Sequence, residues 1–336
     1  MATTHKTPLT SAEISILWSQ YILDTLSLYI EKFALSRAHD EQIHSLIQDT
    51  ITLMEKTPPN VSRIFQDEDI PVPAGFTDED VNLDAPSLYS DIFRLQYIKH
   101  KANLRMAMNG LCLARSSRSD IRNFFRYFTI ATLDIDDKAT NLLLNKGLYI
   151  RPPYISVPDQ IEFVRHKDFM GSFWGGSERK LLAIEIANLF YNIQNNLMGK
   201  TLLTGFSQVV QSPDIRRYFM RGIEIANKHI DIFSSTLQKE NVPVPTSWDF
   251  GVTNSTIAPF SDRLMLHHIV TLNQAGLAAY GTSMSECLRK DLLTDYGRLV
   301  AEIGQYLDAG SNIMIDNHWM EEPPKVVDHG ELSFLQ

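Results

Sequence analysis

The sequence predicts an all-α protein built from two tandem copies of one four-helix bundle, each with a long crossover between its second and third helices. Three observations carry that expectation. The chain repeats itself: Ser11 aligns with Ala183, an offset of 172 that runs without a gap to Pro73 against Pro245. After one residue of slippage, an offset of 171 runs from Ser90 against Ser261 to the pairs Pro152-Pro153 and Pro323-Pro324. Apolar residues recur in both halves at three- and four-residue steps, the spacing that gathers them on one helix face. Alternation of β-branched residues is scarce outside the loops, so no sizeable sheet is expected.

In the first half the stripes predict helices over about 11–36, 40–66, 88–115 and 118–146. Thr10 and Glu13 have the spacing of a capping box at the first helix start. Thr57-Pro58-Pro59 falls inside the second segment, where two prolines remove hydrogen bonds and should kink or break the helix. The crossover DEDIPVPAGFTDEDVNLDAP follows. The third and fourth helices are joined by a short turn, and NLLLNKGLYIRPP (Asn141–Pro153) ends the half. There Gly147 supplies a left-handed cap and the Pro pair stops the helix resuming. A connector over 151–176 contains MGSFWGGS (Met170–Ser177) as a flexible part, with its Phe and Trp expected to dock on a bundle.

In the second half Leu182, Ile186, Leu189 and Ile193 mark the first helix, and Ile215, Phe219, Gly222, Ala226, Ile230 and Phe233 the second. Leu264, His268, Leu272, Ala275 and Ala279 mark the third; Tyr296, Leu299, Ile303, Leu307 and Met314 mark the fourth. NIMIDNHWMEEPP (Asn312–Pro324) repeats the earlier ending, with His318 expected to cap the last carbonyls. The division expected is therefore a first bundle over 1–150, the connector over 151–176 and a second bundle over 177–336. One long crossover between the second and third helices is the ferritin-like arrangement. The halves are expected to pack with pseudo-two-fold symmetry, as a homodimer of the ancestral half would.

Composition narrows the function. A formal net charge of −9 over 336 residues argues against a general nucleic-acid or anionic-membrane binder, which needs a basic footprint. No run approaches the roughly 18 uncharged apolar residues of a membrane span, and the N-terminus lacks the apolar core of a signal peptide. The two cysteines, Cys112 and Cys287, sit in apolar helical patterns and read as buried reduced thiols, consistent with a cytoplasmic chain. Nucleotide-binding and hydrolase signatures are absent.

The ferritin-like arrangement raises the question of a metal. Di-iron bundles take a Glu from each of two helices and a Glu-x-x-His from each of the others. Here the one Glu-x-x-His, Glu41–His44, falls in a helix first turn, where the helix dipole accounts for the acid. Glu224 points to solvent, and Glu302 lies about 100° off its stripe. A reduced site remains conceivable in the second half, from Glu185, His229 and His268, holding a single Fe, Mn or Zn. Asn192 and Asn196 lie near Glu185's face. The competing reading makes each a satisfied core polar residue. His267 is expected to face outward.

Three function classes follow. A non-enzymatic structural or interaction bundle, without cofactor and with a protein partner or self-association, is preferred. A metal-binding or oxidase-like protein is the first alternative. A binder of a small apolar ligand is the second, motivated by Ala275, Gly276, Ala278, Ala279 and Gly281, which either let helices approach closely or line a cavity.

LTSAEI with Trp18, GFTDEDVNLDAP, RSDIRNFF, NKGLYIRPPYI, GFSQV, IAPFSD, and NIMIDNHW with its later Pro-Pro carry a resemblance. The chain resembles a duplicated family of unknown function from spore-forming Firmicutes, DUF3231, which is similar in fold to ferritin-like spore-coat proteins of the coat-F type. The resemblance spans nearly the whole chain and implies fold, lineage and spore association. It transfers no catalytic residues, since none are established for the family. Thr57-Pro58-Pro59 departs from the pattern, which has an unbroken second helix ending in a His-bearing turn.

Overall fold

A computed structural model describes residues 7–172, 179–246 and 251–326. Among them the first half holds α1 (Ser11–Arg37), α2 (Glu41–Met54), α3 (Thr57–Gln66), α4 (Asp91–Arg115) and α5 (Ser119–Asn145). The second holds α6 (Ala183–Val209), α7 (Pro213–Lys239), α8 (Asp262–Glu286) and α9 (Lys290–Asp316). No strand forms among the described residues, and none of their helices is long and apolar enough to cross a membrane. The architecture is all-α, a tandem duplication of a four-helix bundle. Helix starts repeat at the sequence offsets: 11 and 183, 91 and 262, 119 and 290. The break expected from the prolines is present, because α2 and α3 together fill the place of the single helix α7. Pro58 and Pro59 sit in the first turn of α3, where a missing N–H costs little.

The helix ends explain several polar residues. Glu13 accepts from the Thr10 N–H at 2.9 Å and Thr10 Oγ1 accepts from the Glu13 N–H at 3.2 Å, the capping box expected. Glu13 also reaches across the bundle end, accepting from the Ser117 and Arg118 N–H groups at 2.8 Å each. One carboxylate thus fastens the start of α1 to the α4–α5 turn. The repeated endings are a common helix stop. Gly147 (φ 66°) and His318 (φ 57°) both take the left-handed conformation. One residue on, Leu148 N–H donates to Leu143 O, and Trp319 N–H to Met314 O, at 2.8 Å each. His318 does cap a late carbonyl, through its backbone N–H, which donates to Ile315 O at 2.9 Å.

Two apolar clusters belong to the first half, one around Ile47, Leu95 and Phe128, the other around Leu17, Phe65 and Phe125. The largest spans both halves: Leu26, Phe33, Phe93 and Tyr97 pack into one cluster with Phe206, Phe260, Leu264 and Ile269. The two crossovers meet within it. Val81 bridges Phe260 and Tyr89 bridges Val252, both antiparallel. Adding 171 to 81 and 89 gives 252 and 260, so each bridge is the symmetry mate of the other. The backbone bonds obey the same rule. Asn82 N–H donates to Pro259 O (2.8 Å) and Thr253 N–H to Leu88 O (3.0 Å). Ser90 N–H donates to Gly251 O (2.8 Å) and Ser261 N–H to Asp80 O (2.9 Å). The pseudo-two-fold axis runs between Tyr97 and His268, which share one repeat position and touch each other.

In the connector, residues 154–164 are exposed and form neither helix nor strand, and a short 3-10 turn, Lys167–Met170, brings Phe169 under the Arg179 guanidinium at 4.6 Å. Phe173 and Trp174 lie outside the described residues.

Candidate functional site

The three residues singled out for a metal occupy three separate places. Glu185 is buried at the end of the second bundle, where it repeats the role of Glu13. It accepts from the Leu182 N–H at 2.9 Å, from Leu288 and Arg289 N–H at 3.2 and 3.1 Å, and from the Arg179 guanidinium at 2.8 and 2.9 Å. Burial opposes its ionisation, but the Arg179 and backbone hydrogen bonds outweigh that and hold its carboxyl below the usual range. His268 sits on the pseudo-two-fold axis, its Nε2 3.1 Å from the Tyr97 hydroxyl. Burial, with Lys101 and neighbouring imidazoles nearby, pushes His268 down to about 3, so the ring is neutral. His229 lies inside the second bundle. No group of three or more His, Cys, Asp or Glu side chains able to hold a metal ion occurs among the described residues.

His229 is the centre of a directed chain. Its Nδ1 lies 3.0 Å from the Tyr280 hydroxyl and its Nε2 3.1 Å from Glu302. Burial lowers the pKa of His229 against the opposing pull of Glu302, so the ring is neutral, with one donor and one acceptor. A carboxylate only accepts, which places the ring proton on Nε2 toward Glu302. Nδ1 then accepts from Tyr280, and the Tyr280 oxygen accepts from Asn196 Nδ2 at 2.7 Å. Lys228 closes the outer end with two 2.9 Å contacts to Glu302. Both His229 nitrogens have hydrogen-bond partners within the protein.

Beside this chain lies a cavity of about 60 Å³ between α6, α7, α8 and α9, reached by His100 from α4. Asn195, Asn196, Asn273, His229 and Tyr280 supply its polar lining; Gly199, Ala226, Ala275 and Gly276 are among its small apolar residues. Of the five small residues of α8, Ala275 and Gly276 line this space, while Ala278, Ala279 and Gly281 do not, and its walls are part polar.

The same locus in the first half is filled by charge. Asp24, aligned with Asn196, is fully buried and pairs with Arg105, aligned with Gly276. Asp24 also accepts from Gln20 Nε2 at 2.7 Å and from the Thr57 hydroxyl, Thr57 being aligned with His229. Glu31, about two turns after Asp24 on α1, pairs with Lys101. The sequence reading passed over these ions. The signal was a mid-helix charge at the repeat position of a stripe-edge Asn. His267, expected outward, packs edge-on against Phe76 of the first-half crossover at 5.4 Å, and burial drops its pKa to about 4. A face that points out of its own bundle is covered by the other half. Cys112 and Cys287 are free, buried thiols, each pushed by burial up to about 11.

Fold and interior together define a duplicated helical-bundle protein whose halves are fused across a symmetric crossover pair. The chain belongs to the DUF3231 family, proteins of unknown function, whose sequence profile matches residues 1–161 and again 170–332. Among solved structures it is similar to a candidate spore coat protein from Bacillus halodurans C-125, at 21% identity and a TM-score of 0.40, over 45% of this chain and 98% of that one. No curated protein matches this chain.

Proposed function

We propose that this is a non-enzymatic ferritin-like helical-bundle protein with a structural or interaction role, linked to spore formation, that works through contacts made by its connector. The spore link rests on the family resemblance in the sequence, and the cytoplasmic setting on the two cysteines, which form no disulfide. The interaction role is supported by one observation: Tyr154, Val157, Ile161 and Phe163 are 82–87% exposed within ten residues of chain outside any helix. Large apolar side chains this bare, and this close together, mark contact surfaces more often than plain solvent-facing chain. The interior supports the same reading, since the buried acids at the bundle ends cap helices and the buried thiols are held protonated.

The partner tested first is a second copy of the chain. Sedimentation velocity over a wide concentration range should show reversible self-association. Replacing Tyr154, Val157, Ile161 and Phe163 together by Ser should abolish it without changing helix content. A wild-type chain that stays monomeric throughout would sink the self-association reading.

A further inference from the structure

The second bundle holds a space whose sister is filled. In the first half, Arg105 and Asp24 occupy the locus with a buried ion pair. The second half has Gly276 and Asn196 there. A Cβ built on Gly276 meets nothing within 4 Å, so the backbone itself opens onto free volume. Small residues alone would only mean close helix approach, but one polar atom on the wall, Asn195 Oδ1, is buried unsatisfied, and a second lining side chain, His100, has no protein partner. His100 is 8% exposed, lines the cavity and makes no hydrogen bond among the described residues. Asn195 Oδ1, on another wall, is buried without a hydrogen-bond partner. A buried polar group without a partner is costly, and native interiors satisfy such groups with protein, water or ligand.

The lining also specifies charge. None of the residues around the cavity is Asp, Glu, Lys or Arg. Burial takes His100 down to about 4, so it contributes a neutral ring. Glu302 and Lys228 neutralise each other outside the lining. An ion entering here would leave water without meeting a counter-charge, whereas a neutral molecule with a donor and an acceptor would meet both Asn195 and His100.

We propose that the cavity between α4, α6, α7, α8 and α9 is a binding site for a small, uncharged, polar molecule held by His100 and the Asn195 amide. A space of about 60 Å³, against the roughly 10–15 Å³ one water needs, admits on the order of four to six non-hydrogen atoms. The site is unique to the second bundle, because Arg105 and Asp24 fill its counterpart. It differs from the apolar-ligand expectation in that the walls offer hydrogen bonds. It does not depend on the connector contacts proposed above.

The test uses the full chain with histidines labelled at 13Cε1 and acetamide as the probe, with acetate as its charged isostere and xenon as the apolar control. Acetamide is expected to shift the His100 and His229 resonances saturably at millimolar concentration, with acetate at least tenfold weaker. The double substitution Gly276→Arg with Asn196→Asp rebuilds the first-half ion pair, and should remove the response. Because that variant could misfold, His100→Leu serves as a second, and should weaken acetamide at least tenfold while the His229 resonance still reports. Saturable acetamide binding lost in either folded variant supports the site. No saturable shift, an equal response to acetate, or xenon entering where acetamide does not, overturns it.

Discussion

His229 has no nitrogen left over, and that decides its chemistry. With Nδ1 accepting from Tyr280 and Nε2 donating to Glu302, a metal would have to break one bond of a buried chain. Elemental mass spectrometry of untagged protein from cells given Fe, Mn and Zn is therefore expected to find no stoichiometric metal. About one metal per chain, lost in His229→Ala, would refute that. Tyr280→Phe removes the hydroxyl that serves both Asn196 and His229, and should destabilise by about 1–3 kcal/mol in urea unfolding, the cost of leaving buried polar groups unpaired. Part of this was legible: His229 was singled out in the second half as a ligand or a satisfied core polar residue. Glu302 was not, since its Cα direction lies well off the stripe, and only a long, bending side chain brings its carboxylate back. Asp24, Arg105 and Lys101 were missed because a buried charge is invisible in sequence until its partner on another helix is known.

At the scale of elements the sequence spoke most clearly. Periodicity, caps and prolines each have a local cause, so the eight repeat positions, the α2–α3 break and the doubled ending were all readable. The endings differ in one instructive way. Gly147 takes its left-handed φ without strain, whereas His318 takes the same φ with a side chain. His318→Gly is expected to stabilise the chain by about 0.5–1 kcal/mol, seen as a rise of a few degrees in Tm. The opposite sign would mean the imidazole makes an interaction worth more than the strain. Glu13 gives a pH-dependent test. Burial opposes its ionisation, but the Arg118, Thr10 and Ser117 hydrogen bonds bring its carboxyl from 4.5 to about 2. A depressed carboxyl stabilises fully above its unfolded pKa and loses that contribution as pH falls toward the folded value. Glu13→Gln should therefore cost about 1–3 kcal/mol at pH 7, with the gap to wild type closing between pH 4.5 and 2. A gap independent of pH would remove the carboxylate from the account. What local rules could not show was the crossover pairing, because the partners lie some 170 residues apart in the chain.

For the whole molecule, three imidazoles sit where burial disfavours their charged form. His100 and His267 are taken down to about 4 and His268 to about 3, chiefly by burial. A histidine held neutral in the fold but free to protonate when unfolded stabilises above its unfolded pKa, near 6.5, and loses that contribution as pH drops. Each such ring costs about 1.4 kcal/mol per pH unit below 6.5 until its folded pKa is reached. Stability is thus expected to fall steeply between pH 6.5 and 4, with unfolding taking up about three protons near pH 5. A Tm flat across that interval would show these rings reach solvent.

The symmetric joint between the crossovers has one more consequence. What holds the halves together is a common core and backbone pairing, and the exposed segment 154–164 between them lies outside both. A protease that nicks residues 154–164 should therefore leave a particle that elutes unchanged, its two pieces parting only in denaturant. Residues 1–161 and 162–336 made from separate genes should find each other and assemble, a split protein whose reunion restores what duplication once joined.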